Sequence, residues 1–144
     1  MRTFVASGGL YLGFCLGAFL AGPHRGFSLL PEGDKIMREI ERPKAQVNNT
    51  DDTVIQVDWM FSTGKKIGTT DYKRWLYFQD GAAIVLSQHS PVTVLGRYSQ
   101  NGDAASTLNA YGLGWVANIG PHPEPDQSWC KLHIHLHDPR RSYM

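Results

Sequence analysis

The chain has 144 residues, of which 14 are lysine or arginine and 13 are aspartate or glutamate, so its formal net charge is +1. No long run of one charge sign occurs, which argues against a nucleic-acid-binding protein. Two cysteines, Cys15 and Cys130, are too few for a fold stapled by several disulfides. The length fits one folded domain.

The stretch from Thr3 to Ala21 is apolar and contains no charged residue. At about 1.5 Å per residue, a helix of this length would reach across the hydrocarbon core of a bilayer. We therefore predict a transmembrane helix over residues 1–22 and a single-pass protein of the mitochondrial inner membrane, the secretory pathway or the cell envelope. A cleaved secretory signal is the alternative, although Phe19 and Leu20 are too large for a good cleavage site.

Small residues recur every four positions in this stretch, at Gly9, Gly13, Gly17 and Ala21. Such a row lets two helices approach closely inside a membrane. The chance occurrence of glycine in membrane helices is the simpler alternative. The row predicts a helix-packing surface whose partners are other membrane-protein subunits within the lipid bilayer.

Residues 23–52 are predicted to form a membrane-proximal segment with a short amphipathic helix and a linker. Asp34 can cap the start of this helix, and Ile36 and Ile40 share one of its faces. Pro43 forbids its continuation. The polar, turn-rich residues that follow predict the linker.

The hydrophobic period changes to two at Thr53, where apolar residues alternate with polar ones. The chain is therefore predicted to be mainly β. Residues 53–138 are expected to form a small antiparallel β-sandwich or barrel of five to six strands, followed by a tail over residues 139–144. Two tight hairpin turns are predicted, at Asp80-Gly81 and at Asn101-Gly102.

Three histidines, His133, His135 and His137, alternate with apolar residues near the end of the chain. On a strand, their imidazoles project from one face and could hold zinc or copper. The simpler interpretation is a polar strand face that contacts neighbouring strands or a partner. No cofactor is expected on that interpretation, and zinc or copper is the alternative.

Familiar enzyme motifs do not appear in the sequence. The chain has no G-x-S-x-G elbow, no C-x-x-C pair and no H-E-x-x-H pattern. The glycines at 112 and 114 fit a dinucleotide fingerprint only superficially, because no strand–helix–strand unit surrounds them. No catalytic residue is predicted from these patterns.

Several aromatic residues lie in the predicted β-domain, and Tyr77 and Trp129 fall on the outward phase of their strands as candidate interface residues. The preferred function is a non-catalytic accessory or assembly subunit of a membrane protein complex, with the β-domain docked on partner subunits. One alternative is an anchored or exported metal-binding module, which could be an enzyme. The other is a secreted binding domain released by signal cleavage.

Overall fold

A computed structural model of the protein describes residues 1–124. These residues form two short α-helices, two single-turn 3-10 helices (η) and eight strands of one curled sheet. In chain order the elements are α1 (Arg2–Ala6), β1 (Leu10–Phe14), α2 (Leu16–Ala21), β2 (Lys35–Arg38), η1 (Glu39–Glu41), β3 (Thr53–Met60), η2 (Gly64–Lys66), β4 (Thr70–Phe78), β5 (Ala82–Val85), β6 (Thr93–Tyr98), β7 (Ala104–Tyr111) and β8 (Gly114–Ile119).

Six strands lie side by side in the order β1-β8-β7-β6-β3-β4, while β5 pairs with β7 and β2 pairs with β5. The first strand runs parallel to the last, with Leu10 opposite Trp115 and Phe14 opposite Ile119. The remaining strand pairs are antiparallel. The mainly β prediction therefore holds for residues 1–124, but the described sheet has eight strands and includes one parallel pair.

The prediction of a membrane-spanning helix over residues 1–22 is wrong, and so is the single-pass membrane localisation that was based on it. Within residues 1–124, no helix has the length and apolar character needed to cross a membrane. The apolar stretch forms a helix, a strand and a helix instead, and Gly8 between the first two has φ +110. In a helix each glycine costs about 1 kcal/mol relative to alanine, so the four glycines of this stretch disfavour one continuous helix.

The short amphipathic helix predicted after Asp34 is also wrong. Lys35–Arg38 is a strand that pairs with β5, and only the single 3-10 turn Glu39–Glu41 follows it. The carboxylate of Asp34 does not cap a helix. It accepts hydrogen bonds from the Ser87 backbone N–H at 2.7 Å and from the Ser90 hydroxyl at 2.6 Å, which tie the start of β2 to the chain beyond β5.

One predicted hairpin forms and the other does not. The chain turns at Asn101-Gly102 and pairs β6 with β7, as predicted. At Asp80-Gly81 it turns as well, but β4 pairs with β3 while β5 pairs with β2 and β7. Three of the four residues of β5 are buried, and the strand pairs with β2 and with β7 instead of with β4.

Two apolar clusters stabilise the fold. The larger one is built around Ile55, Val57, Phe78 and Tyr98, all with no exposed surface. The smaller cluster lies under the N-terminal segment, where α1, α2 and the following loop cover one face of the β1–β8 pair. Its buried members are Val5, Ala21, Leu29 and Val116.

A candidate cysteine site at the ends of the parallel strands

Cys15 is the single residue between β1 and α2, and its backbone is strained. Its φ is 46° and its ψ is −107°, a conformation that costs a residue with a side chain of the order of 1–3 kcal/mol. A sharp turn from strand to helix with a strained residue at its apex is the geometry of a nucleophile elbow, which presents the side chain of the central residue outward. Such strain is typical of functional sites.

Gly13 makes this turn possible because its backbone lies against that of α2. A Cβ atom at Gly13 would stand only 2.6 Å from the carbonyl carbon and oxygen of Gly17, whereas a Cβ at Gly17 would meet nothing within 4 Å. The phenol of Tyr11 donates a hydrogen bond of 2.6 Å to the Gly17 carbonyl and holds the helix in place. The sequence Gly13-Phe14-Cys15-Leu16-Gly17 is thus a cysteine counterpart of the G-x-S-x-G elbow.

The elbow lies at the end of the sheet where the parallel strands β1 and β8 both terminate. The Cys15 backbone N–H donates to the Ile119 carbonyl at 2.9 Å, and the chain then leaves β8 through Gly120 and Pro121 to His122. Parallel pairing of β1 with β8 therefore directs Cys15 and His122 to the same edge.

Three contacts hold His122 in place. Its N–H donates to the Tyr77 carbonyl at 2.9 Å, and its imidazole packs on the Tyr77 ring with centroids 5.6 Å apart. Its Nδ1 lies 2.5 Å from Oε1 of Glu124. In the neutral tautomer with the proton on Nδ1, that nitrogen donates to the carboxylate and Nε2 keeps its lone pair as a base.

Tyr77, a candidate interface residue from the sequence, is only 6% exposed. Its phenol hydrogen-bonds the Asp52 carboxylate, and burial, together with that bond, raises the pKa of Tyr77 to about 12. The phenol therefore stays protonated at neutral pH and can act as a donor. Among residues 1–124, the Tyr77 side chain contacts His122 of the same chain.

Cys15 is partly exposed, and its surroundings disfavour the thiolate. Its Sγ lies 3.5 Å from the Gln79 carbonyl, to which the thiol donates. Burial raises the pKa of Cys15, and the negative charges of Asp80 and Glu124 raise it further, while a hydrogen bond from the Leu16 backbone N–H opposes them. A thiol in this environment needs a base to remove its proton before it can attack a substrate.

A cleft of about 430 Å³ opens beside the thiol. Its Asp80 carboxylate is neutralised by Arg38, whose Nη2 lies 2.7 Å from Oδ2. The walls combine apolar side chains with polar groups and the Asp80 carboxylate. The lining residues are Cys15, Leu16, Phe19, Thr50, Gln79 and Asp80.

The four residues predicted to pack one helix on another do not share a helix. Gly9 precedes β1, Gly13 lies within β1, Gly17 lies within α2, and Ala21 ends α2 with its side chain in the smaller apolar cluster. The spacing of four instead reflects a strand and a helix whose backbones meet at the elbow.

The remaining candidates, Trp129, His133, His135 and His137, lie outside the described residues, as does the strand predicted around them. Among residues 1–124, no cluster of three or more histidine, cysteine, aspartate or glutamate side chains is arranged to hold a metal ion. The zinc or copper alternative therefore stays a prediction about the C-terminal histidines.

Sequence reasoning placed Cys15 in a membrane helix and considered His122 and Glu124 only as additional metal ligands, so it did not connect the three residues. The signal was present as Gly-x-Cys-x-Gly and as His-Pro-Glu, but the first was hidden inside an apolar stretch that suggested a membrane helix. Serine was sought at the centre of the elbow, although cysteine performs the same chemistry. The two motifs lie more than a hundred residues apart in sequence, and the parallel pairing of β1 with β8 directs both to the same end of the sheet.

Comparison with known proteins gives a likeness of fold. No protein-family model matches the chain, and no curated protein matches it. A catalytic mutant of Gan42B, a GH42 β-galactosidase from G. stearothermophilus, is 20% identical, covers 94% of this chain and 18% of its own, and has a TM-score of 0.50. A β-galactosidase from Rahnella sp. R3 is 19% identical over 89% of this chain and 18% of its own, also at 0.50. The chain thus spans less than a fifth of the solved structures it resembles, and at these identities the likeness concerns the fold alone.

Proposed function

We propose that the chain catalyses thiol-dependent acyl transfer, with Cys15 as nucleophile, His122 as general base and Glu124 as the group that orients the imidazole. One observation carries this proposal: the strained strand-to-helix turn at Cys15 lies at the same sheet edge as the hydrogen-bonded pair of His122 and Glu124. A nucleophile, a base and a carboxylate that orients the base form the general pattern of covalent acyl-transfer sites.

The proposed reaction begins when Nε2 of His122 takes the proton of the Cys15 thiol. The thiolate attacks the carbonyl carbon of an ester or amide, and the Leu16 backbone N–H, which already donates to Sγ, lies where it can stabilise the developing oxyanion. The imidazolium then protonates the leaving alcohol or amine, and a thioester remains on Sγ. Water, deprotonated by His122, hydrolyses the thioester and restores the thiol.

Because of its electrostatic surroundings, the Cys15 thiol needs a base to remove its proton before it can react. Burial and two carboxylates raise the pKa of Cys15, so few molecules carry a thiolate at neutral pH. Glu124 contributes to this rise and also contacts Nδ1 of His122. Glu124 therefore contacts His122, the proposed proton acceptor, and also disfavours the thiolate form of Cys15.

The sequence-based prediction of a non-catalytic accessory subunit stays untested, but the membrane helix on which it relied is contradicted. The β-galactosidase activity named for the similar structures belongs to chains of which the match covers 18%, and it is not part of the proposal. A thiol site gives the N-terminal glycines and the His-Pro-Glu sequence one common explanation.

The proposal is tested with p-nitrophenyl acetate, an activated ester whose leaving group is coloured. Wild-type protein is expected to release a rapid burst of one p-nitrophenolate per chain, followed by slower turnover. The Cys130→Ser variant serves as the matched control and should keep the burst, while Cys15→Ala should lose it. An equal burst from Cys15→Ala, or loss of the burst in Cys130→Ser alone, would refute the assignment.

A further inference from the structure

The cleft beside Cys15 contains a carboxylate that the proposed reaction does not use. Asp80 lines this cleft together with Cys15, and it directly follows Gln79, whose carbonyl accepts the hydrogen bond of the thiol. The Asp80 side chain is 31% exposed, so a bound molecule can reach it. A substrate that fills the cleft therefore lies against both the thiol and this carboxylate.

Arg38 fixes the orientation of the Asp80 carboxylate. Its Nε donates to Oδ1 at 2.8 Å and its Nη2 donates to Oδ2 at 2.7 Å, which is a bidentate arrangement. An ionised carboxylate has about four acceptor positions, so both oxygens can still accept from a ligand. Among residues 1–124, the cleft lining includes Asp80 but not Arg38, and the guanidinium therefore holds the carboxylate from outside the cleft.

Negative charge exceeds positive charge around this cleft. Nη1 of Arg38 also donates to Oε1 of Glu41 at 3.0 Å, so one guanidinium serves two carboxylates. Asp80 and Glu124 are the charged groups that act on the Cys15 thiol, and both raise its pKa. The electrostatic potential at the thiol is therefore negative.

We propose that this cleft selects acyl donors that carry a cationic amino group, which pairs with Asp80 while the carbonyl of the donor lies at Cys15. The inference rests on the proposed thiol chemistry and names the substrate class of the same site. An anionic acyl group would instead meet two carboxylates of like charge. Clefts lined by one sign of charge raise the local concentration of the opposite charge about 10- to 10³-fold.

A bound cation also changes the reactivity of the thiol. The carboxylates of Asp80 and Glu124 disfavour the thiolate, and a positive charge beside Asp80 offsets them and lowers the pKa of Cys15 towards its ordinary value. The thiol of the free protein therefore stays protonated and less reactive, and a cationic substrate favours its own attack.

The test compares two esters of equal shape. They are p-nitrophenyl 4-(trimethylammonio)butanoate and p-nitrophenyl 5,5-dimethylhexanoate, in which carbon replaces the charged nitrogen. The acylation rate of the full chain with each ester is divided by the rate of the same ester with N-acetylcysteine, which removes differences in intrinsic reactivity. Wild-type protein is expected to prefer the cationic ester about tenfold or more.

Asp80→Asn removes the charge of this side chain and keeps its shape. Asparagine suits the position because Asp80 has φ 48°, in the left-handed region that asparagine tolerates. The preference for the cationic ester should fall about tenfold, to near one. Because the result is a ratio of two esters on the same thiol, a change in the pKa of Cys15 cancels. The wild-type comparison decides the proposal even if circular dichroism shows that this variant does not fold.

Glu41→Gln is the matched control, because it removes a carboxylate from the same guanidinium at a residue that is not among the described lining of the cleft. It should keep the preference for the cationic ester. Equal rates for both esters in wild type, a preference that survives Asp80→Asn, or an equal loss in the two variants would overturn the proposal. A burst without charge preference refutes this inference alone, whereas a chain that shows no burst refutes the proposed function and this substrate class with it.

Discussion

The N-terminal segment, residues 1–31, and the strand β3 contrast in how apolar residues specify structure. In β3, apolar and polar residues alternate, and the strand forms where the alternation predicts it, with Ile55 and Val57 fully buried. In the N-terminal segment, the stretch from Phe4 to Ala21 is apolar apart from Ser7 and its glycines, and the chain breaks into α1, β1 and α2. Continuous apolar sequence indicates burial, but not the period of the element that is buried.

A regular spacing of small residues can therefore have more than one structural cause. Gly13 and Gly17 stand four apart because the backbone of a strand meets the backbone of the helix that follows it, at a distance that excludes a Cβ on Gly13. The same spacing on one helix would serve close packing of helices in a membrane. The first three of the following experiments test the elbow or the site that it creates, and the fourth tests a buried carboxyl outside it.

The largest effect is expected for His122→Ala, which removes the base of the proposed site. Without it the Cys15 thiol, whose pKa is raised, loses its proton acceptor, and the acetyl-transfer rate should fall about 10²- to 10⁴-fold. Stopped-flow absorbance of p-nitrophenolate measures the rate. His89→Ala is the matched control, because His89 is an exposed residue of a loop, and it should react like wild type.

Alanine at the two elbow glycines should have opposite effects on stability. Gly13→Ala forces a Cβ against the backbone of α2 and is expected to lower the free energy of unfolding by about 1–3 kcal/mol. Gly17→Ala places a methyl group in open space on a helix and should raise it by up to about 1 kcal/mol. Urea denaturation measures both. Similar losses in the two variants would contradict the elbow and favour a shared helix surface.

A smaller effect is expected for Tyr77→Phe, which removes the hydrogen bond between the phenol and Asp52 but keeps the ring that packs on His122. Loss of one hydrogen bond corresponds to about 1 kcal/mol, so the acetyl-transfer rate should fall about fivefold, with a shift in its pH profile. Tyr72→Phe is the control. An unchanged pH profile with a lowered melting temperature would assign Tyr77 a purely structural role.

The smallest effect concerns Glu39, a fully buried carboxyl whose Oε2 has no hydrogen-bond partner among residues 1–124. Burial raises the pKa of Glu39, with hydrogen bonds from the backbone N–H groups of Gln46 and Val47 opposing the rise. Because the folded state prefers the protonated acid, stability is highest below the usual pKa of glutamate and falls as pH rises through the raised pKa.

Glu39→Gln should therefore increase the melting temperature at neutral pH and leave it nearly unchanged at about pH 4. Scanning calorimetry at the two pH values measures the difference. A variant less stable than wild type at neutral pH would show that the ionised carboxylate, and not the acid, is the form the fold prefers.

Local sequence patterns predict some of the strands and turns but not the candidate site. The alternation in β3 and the turn at Asn101-Gly102 predict their structures, because a half-buried strand and a tight turn depend on neighbours in sequence. The failure at Asp80-Gly81 has a different origin, since the turn forms but the partners of β5 come from β2 and β7. Strand partners are decided by burial across the whole sheet, which a local pattern does not contain.

The site depended on contacts even more distant in sequence. Cys15 and His122 lie at the same end of the sheet because β1 pairs in parallel with β8, and no period or turn motif predicts that pairing. The strain at Cys15, with φ 46°, is likewise a tertiary property. A search for Gly-x-Cys-x-Gly beside Gly-x-Ser-x-Gly would have found Cys15 as a candidate nucleophile. It would not have found His122 and Glu124 as its partners.

The central claim is that Cys15 is a covalent nucleophile activated by His122. After brief reaction with p-nitrophenyl acetate and acid quench, peptide mass spectrometry should locate one acetyl group on Cys15 and none on Cys130. His122→Ala should abolish the acetylated peptide within the same reaction time. Equal acetylation of both cysteines, or acetylation of Cys15 that does not depend on His122, would contradict the assignment.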